Sequence, residues 1–114
     1  MQNDLVRIFT AAAALSAFSR ITVDSSGQAA LATNTNQDVG VLQQDVASGD
    51  PAPVRMYAPT FEMMANMAIT RGSQVYPTTN GQISGSAVGQ QAGLAIEAAT
   101  EARAIIEIAL TPFV

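Results

Sequence analysis

Short apolar stretches separated by turn residues make up much of the chain. Ser-Gly, Asn-Gly and Asp-Pro steps interrupt the sequence repeatedly, and such dipeptides mark turns. Between them lie short stretches that are rich in β-branched side chains and partly alternate apolar with polar positions, as strands do. These stretches are residues 21–23, 39–42, 54–57, 74–76 and 105–108. The pattern predicts a mainly β domain in which Asn80 and Gly81 form the clearest hairpin turn.

The two halves of the chain share a weak repeat. Its matched positions are Gly27 with Gly81, Gly40 with Gly93, and residues 54–56 with residues 106–108. Each half then has the order strand, turn, strand, glycine-led strand, turn, strand, so that two similar units can close around one shared core. We therefore expect a small, compact β-barrel or β-tulip-like domain built from two similar halves.

Residues 91–109 also fit an amphipathic helix. The side chains that would share one helical face are Leu94, Ala98, Ala102, Ile105 and Ala109. Alanine and glutamate, which are abundant here, favour helices. We nevertheless predict two strands and a turn, because the matching residues 40–56 contain Gly49, Pro51 and Pro53, which a continuous helix does not tolerate.

Two segments, residues 10–18 and 60–68, lie just before the two halves and lack turn residues. We expect a short helix or helical turn in each. The chain has 114 residues, which is enough for one core. We divide it into an N-terminal arm with a short helical turn at residues 1–19 and a single β-rich domain at residues 20–114.

The charge balance and the composition limit which classes of binding partner are expected. The chain has nine acidic residues, five arginines and no lysine, which gives a net charge of -4. The arginines are scattered singly along the sequence, so no phosphate-binding surface is predicted. No apolar run reaches the 18 residues that indicate a membrane span. Alanine accounts for 21 residues and tryptophan for none, so the core is thin and association with identical chains would add stability.

Most catalytic chemistry is excluded by composition. Without His, Cys or Lys, the chain cannot build a Ser-His-Asp triad, a Cys-His pair, a Schiff base or a P-loop lysine. Two kinds of candidate site remain, both made of carboxylates. Glu97 with Glu101 or Glu107 could form an acid and base pair, and Asp45, Asp50 and Glu62 could be cation ligands. They lack the companions or the spacing that such sites need. We predict no catalytic, cofactor or metal site and no enzymatic activity.

Several motifs resemble, in their order and spacing, the small head-decoration or cement proteins of tailed phages. They are residues 69–72, Val75, Asn80 with Gly81, residues 93–95 and residues 105–110. Residues 40–42 and 49–55 are similar to a further stretch of the same family. The resemblance covers about residues 20–112 and leaves the first 18 residues poorly matched.

The resemblance implies a non-enzymatic protein that binds the outer capsid surface as a homotrimer and stabilises the shell. Its partner would be the major capsid protein. It would be made in the host cytoplasm, which the absence of Cys fits, and would end on the virion. No cofactor, nucleic acid or membrane is implied. The alternative in another class is a fibre or pilin-like structural subunit that uses an alanine-rich N-terminal helix.

The N-terminal arm is the candidate capsid contact. It contains the densest run of large apolar residues outside the two halves, and an extended arm can add a strand to an exposed sheet edge. The predicted contact residues are Gln2, Asp4, Leu5, Val6, Arg7, Ile8 and Phe9. The alternative is an internal edge strand of the same domain, and whether the arm or the domain body makes the main contact stays open.

Overall fold

The computed structural model describes residues 5–33, 38–57, 60–78, 80–86 and 93–110. Within these residues the secondary structure consists of strands, with no helix. The strands are β1 (Leu5–Thr10), β2 (Arg20–Val23), β3 (Ala29–Leu31), β4 (Gly40–Leu42), β5 (Pro51–Tyr57), β6 (Phe61–Met64), β7 (Gln74–Pro77), β8 (Ile83–Ser84), β9 (Gly93–Ala95) and β10 (Ile105–Leu110). The predicted mainly β fold is confirmed.

Each half of the chain forms its own five-stranded antiparallel sheet with the same topology. The first sheet has the order β1-β5-β4-β2-β3, and the second has the order β6-β10-β9-β7-β8. Each sheet curls so that the chain just after its first strand touches the strand at the opposite edge. Ala11, just after β1, bridges Ala29 in β3, and Ala65, just after β6, bridges Ile83 in β8. The result is two similar half-barrels, as the repeat predicts. The expectation of one shared core is wrong, because each half-barrel encloses its own apolar cluster.

The strand register corrects one part of the repeat. Gly40 and Gly93 are equivalent, because a Cβ at either would press against a backbone carbonyl of the neighbouring strand. Leu42 pairs with Val54, and its counterpart Ala95 pairs with Ile108. Val54 therefore corresponds to Ile108 and not to Ile106, so the match of residues 54–56 with residues 106–108 is wrong by two positions. The loop before β5 and the loop before β10 differ in length. This difference is not visible when the two halves are matched by sequence alone.

The turns repeat as faithfully as the strands. Six described residues have a positive φ, and they fall into three equivalent pairs: Phe18 with Gly72, Gly27 with Gly81, and Gly49 with Arg103. L-residues other than glycine adopt this conformation at a cost. In two of the pairs one half has glycine where the other has a larger residue, so the backbone shape is kept although the side chain differs.

Two apolar clusters fill the half-barrels. The first cluster contains Ile21, Leu42 and Val54, and the second contains Val75 and Ile108 among others. Val41, from β4 of the first half, belongs to the second cluster, so the two halves share packing across their boundary. Burial alternates along β6 and β10, as expected for strands with one face on a core.

The prediction of two strands and a turn is confirmed for residues 93–109 by β9 and β10, and residues 91 and 92 lie outside the described residues. Leu94 and Ile105, which a helix would bury, are exposed, whereas Ile106 and Ile108 are buried. Period-two burial and pairing with β6 therefore override the helical propensity. The helices expected within residues 10–18 and 60–68 are wrong: among the described residues, the first segment forms bridges and turns and the second contains β6. Both segments find hydrogen-bond partners in other strands, which local propensity does not report.

Candidate functional site

β1 is an edge strand, and it presents large apolar side chains to solvent. It pairs with β5 along its length, and among the described residues β5 is its one neighbour in the sheet. Leu5, Val6 and Ile8 are 52%, 47% and 62% exposed. An edge strand leaves one row of backbone N–H and C=O groups available to another chain. The strand therefore combines open backbone groups with exposed apolar surface, which is the combination that β-strand addition uses.

The two faces of β1 differ. Arg7 lies opposite Val54 and Phe9 opposite Ala52 in the pairing with β5, and both β5 residues are buried. Paired residues share a face, so Arg7 and Phe9 lie on the core side of the sheet. The Arg7 guanidinium sits 5.3 Å from the centre of the Phe9 ring, within cation–π range. The opposite face carries Ile8 next to Pro53.

The predicted contact residues are partly brought together by this strand. Leu5, Val6, Arg7, Ile8 and Phe9 all lie on β1, whereas Gln2 and Asp4 lie outside the described residues. Their role as capsid contacts stays a prediction. The division into an arm at residues 1–19 and a domain at residues 20–114 also stays a prediction, although β1 is hydrogen-bonded to β5 of the first sheet.

Arg20 is a buried charge at the boundary between the halves, and the sequence analysis missed it. Its side chain is 1% exposed and pairs with Asp38 at 2.9 Å. Its other nitrogens donate to the carbonyl oxygens of Thr78, at 2.6 Å, and Gln82, at 3.1 Å, in the second half. The signal for a buried ion pair in the sequence was an arginine directly before a short apolar strand. An arginine that is buried at such a position needs partners.

Three of the carboxylates considered for catalysis or for cation binding accept structural hydrogen bonds. Glu97 accepts a hydrogen bond from the Glu107 backbone N–H at 2.8 Å, and Glu107 accepts one from the Thr60 hydroxyl at 2.6 Å. Asp45 accepts one from the Ala17 N–H at 2.7 Å. Among the described residues, no group of acidic side chains is arranged to hold a metal ion. In the same part of the chain, no helix is long and apolar enough to cross a membrane.

One small cleft lies between the halves. It is lined by Asp38, Val41, Phe61 and Met63 among others, and its volume is about 100 Å³. Pockets for small molecules usually measure about 300–1,000 Å³. The cleft is therefore better understood as imperfect packing at the boundary between the halves than as a ligand site.

Comparison with known proteins identifies the family. Residues 2–110 match the family described as phage cement protein. The chain belongs to the phage cement proteins. Membership gives it a structural, capsid-associated role. The family resemblance seen in the sequence is thereby confirmed.

A solved structure shares the fold of this cement protein. The crystal structure of the head fiber gp8.5 N base in bacteriophage phi29 superposes with a TM-score of 0.79 at 18% identity, covering 95% of this chain and 94% of that one. At this identity the likeness establishes the fold. A search of curated proteins finds no match to the chain.

Proposed function

We propose that this cement protein binds the outer surface of a tailed-phage capsid as a homotrimer and stabilises the shell without enzymatic activity. The observation that carries the proposal is the exposed apolar edge strand β1. Its partner would be the major capsid protein, and the contact residues would be Leu5, Val6, Arg7, Ile8 and Phe9 with the flanking Gln2 and Asp4.

The energetics support contact through β1. Burying one large aliphatic side chain contributes about 1.5–3 kcal/mol, and Leu5, Val6 and Ile8 each have about half of their surface or more still to bury. Backbone hydrogen bonds to the open edge of β1 would add affinity and would fix the register between β1 and the partner strand. A trimer that touches neighbouring capsid subunits makes its second and third contacts intramolecular, so modest interfaces combine into firm retention.

The test is the substitution Ile8→Glu. Ile8 is 62% exposed, so the monomer should fold with an unchanged melting temperature, whereas a buried glutamate at a capsid interface should weaken particle binding at least about tenfold, the equivalent of 1.4 kcal/mol. Removing residues 2–8 would strip β5 of its partner and confuse binding with folding.

The matched control is Ile105→Glu, in β10 of the second half, where Ile105 is 37% exposed. Binding is measured by co-sedimentation of purified protein with particles that lack it. Equal retention of Ile8→Glu and the control would reject β1 as the contact.

A second candidate is the base of a capsid-attached fibre, because the matching solved structure is described as a head fiber N base. The fibre-subunit alternative that uses an alanine-rich N-terminal helix is not supported, since residues 11–18 contain bridges and turns. Electron microscopy of virions distinguishes the two: knobs seated on the shell support the cement role, and fibres projecting from them support the fibre base.

A further inference from the structure

The two halves meet through a defined pair of surfaces. The leading face belongs to the first half and consists of Ser19, Arg20 and Val41. The receiving face belongs to the second half and consists of Phe61, Met63 and Gly81. The Arg20 N–H donates to the Gly81 carbonyl at 2.7 Å, and Val41 lies in the same apolar cluster as Phe61 and Met63. All six residues are buried.

Because the halves repeat, each of these faces exists a second time. The leading face of the second half consists of Ser73, Gln74 and Leu94, and the receiving face of the first half consists of Arg7, Phe9 and Gly27. Among the described residues, nothing takes the place of the missing partner for these second copies. Leu94 is 43% exposed, Gln74, Arg7 and Gly27 are also exposed, and Ser73 and Phe9 are half-buried.

We propose that the open leading face of one copy docks on the open receiving face of another, so that the contact between halves is repeated between chains. Such a head-to-tail contact is heterologous, and it forms a closed ring when its rotation closes. Three copies would give a ring of six similar half-barrels. The number three rests on the proposed function, whereas the pair of faces rests on the repeat alone.

The side chains fit this arrangement. Leu94 takes the place of Val41 and would pack on Phe9 and the aliphatic part of Arg7, as Val41 packs with Met63 and Phe61. Gln74 takes the place of Arg20. In the internal contact Arg20 donates to carbonyl oxygens of the turn between β7 and β8, and the Gln74 amide could donate to the equivalent turn between β2 and β3. A neutral amide there weakens the contact, so assembly between chains would be reversible.

The proposal also assigns separate roles to the two faces of β1. Arg7 and Phe9, on the core side, would meet the neighbouring chain, and under this proposal they leave the set of capsid-contact residues given above. Ile8, on the opposite side, stays available for the capsid. One strand can therefore serve both contacts without competition, because alternate residues point to opposite faces.

Cross-linking tests the contact directly, because the chain has no cysteine. Chains carrying Leu94→Cys are mixed with chains carrying Arg7→Cys and treated with a short bismaleimide. We expect a cross-linked dimer in the mixture, and a covalent trimer from the chain that carries both substitutions. Ile105→Cys paired with Arg7→Cys is the control and should give neither. No dimer in the test mixture, or equal yields for test and control, would overturn the proposal.

Sedimentation of Leu94→Glu is the second measurement. The substitution lies on an exposed position, so the chain should remain folded while self-association weakens at least tenfold. If this variant assembles like the unsubstituted chain, the proposed contact between chains is overturned, and the proposal of capsid binding is not affected. Conversely, loss of particle binding by Ile8→Glu with undiminished cross-linking separates capsid attachment from assembly, so the two proposals can fail independently.

Discussion

β1 and β6 hold the same place in the two sheets, but they present different side chains. In β6, Phe61 and Met63 are buried at the boundary between the halves, and Glu62 between them faces solvent. In β1 the equivalent positions are Arg7 and Phe9, with exposed Ile8 between them. The duplicated backbone is the same, and the side chains decide which copy is buried at the boundary between the halves and which stays exposed.

The same contrast holds between Arg20 and Gln74, which begin the equivalent strands β2 and β7. Arg20 is buried and bridges the halves, whereas Gln74 is exposed. Replacing Arg20 with Met removes a buried cation and leaves carbonyl acceptors and Asp38 without their donor. We expect Arg20→Met to lower the free energy of unfolding by about 3 kcal/mol.

The matched substitution Gln74→Met should change the free energy of unfolding by no more than about 0.5 kcal/mol, as for most surface positions. Urea denaturation at low protein concentration measures both. Equal losses would show that the boundary between the halves is not held by Arg20.

Gly27 and Gly81 provide the next comparison, because both have a positive φ but different surroundings. A Cβ at Gly27 would meet no atom within 4 Å, whereas one at Gly81 would lie 2.7 Å from a Leu31 methyl group and 3.2 Å from the Arg20 carbonyl oxygen. Gly27→Ala should cost about 1 kcal/mol in backbone strain, and Gly81→Ala about 2 kcal/mol, because crowding adds to the strain. Thermal unfolding of the two variants tests the difference, and equal costs would contradict crowding at the boundary.

The sequence predicted the fold class because turn dipeptides and the repeat constrain it independently of local propensity. The repeat outweighed the helical pattern of residues 91–109, and this was correct because β6 supplies the partner that β10 needs. Residues 60–68 lack turn residues and for that reason were predicted to be helical, but β6 lies there. Strand pairing joins residues far apart in the chain, so a local pattern cannot report it.

The candidate site was predicted only in part. A run of apolar residues identified β1, but its place as an edge strand of the same domain was only the alternative prediction, since nothing in residues 5–9 distinguishes a free arm from an edge strand. Arg20 was missed because a single arginine in a chain of scattered charges reads as surface. Its burial depends on the turn of the second half that closes over it.

The smallest effect we predict is a pH dependence at the boundary between the halves. Burial raises the pKa of Asp38 above its ordinary value of 3.8, although the charge of Arg20 and its hydrogen bonds oppose the rise. The folded chain therefore holds this proton at a higher pH than the unfolded chain does. The stability that this group contributes is then fully present below the unfolded pKa and is lost as the pH rises through the folded pKa.

Asp38→Asn should remove this dependence, and Asp50→Asn, at an exposed position of the same half, controls for the change in net charge. Urea denaturation at a series of pH values from about 3 upward gives the free energy of unfolding of each chain. The unsubstituted chain and Asp50→Asn should both lose stability relative to Asp38→Asn as the pH rises from 3.8. A gain over that interval would mean that the attraction of Arg20 outweighs burial, and that the ion pair at 2.9 Å holds the halves together more strongly when Asp38 is charged.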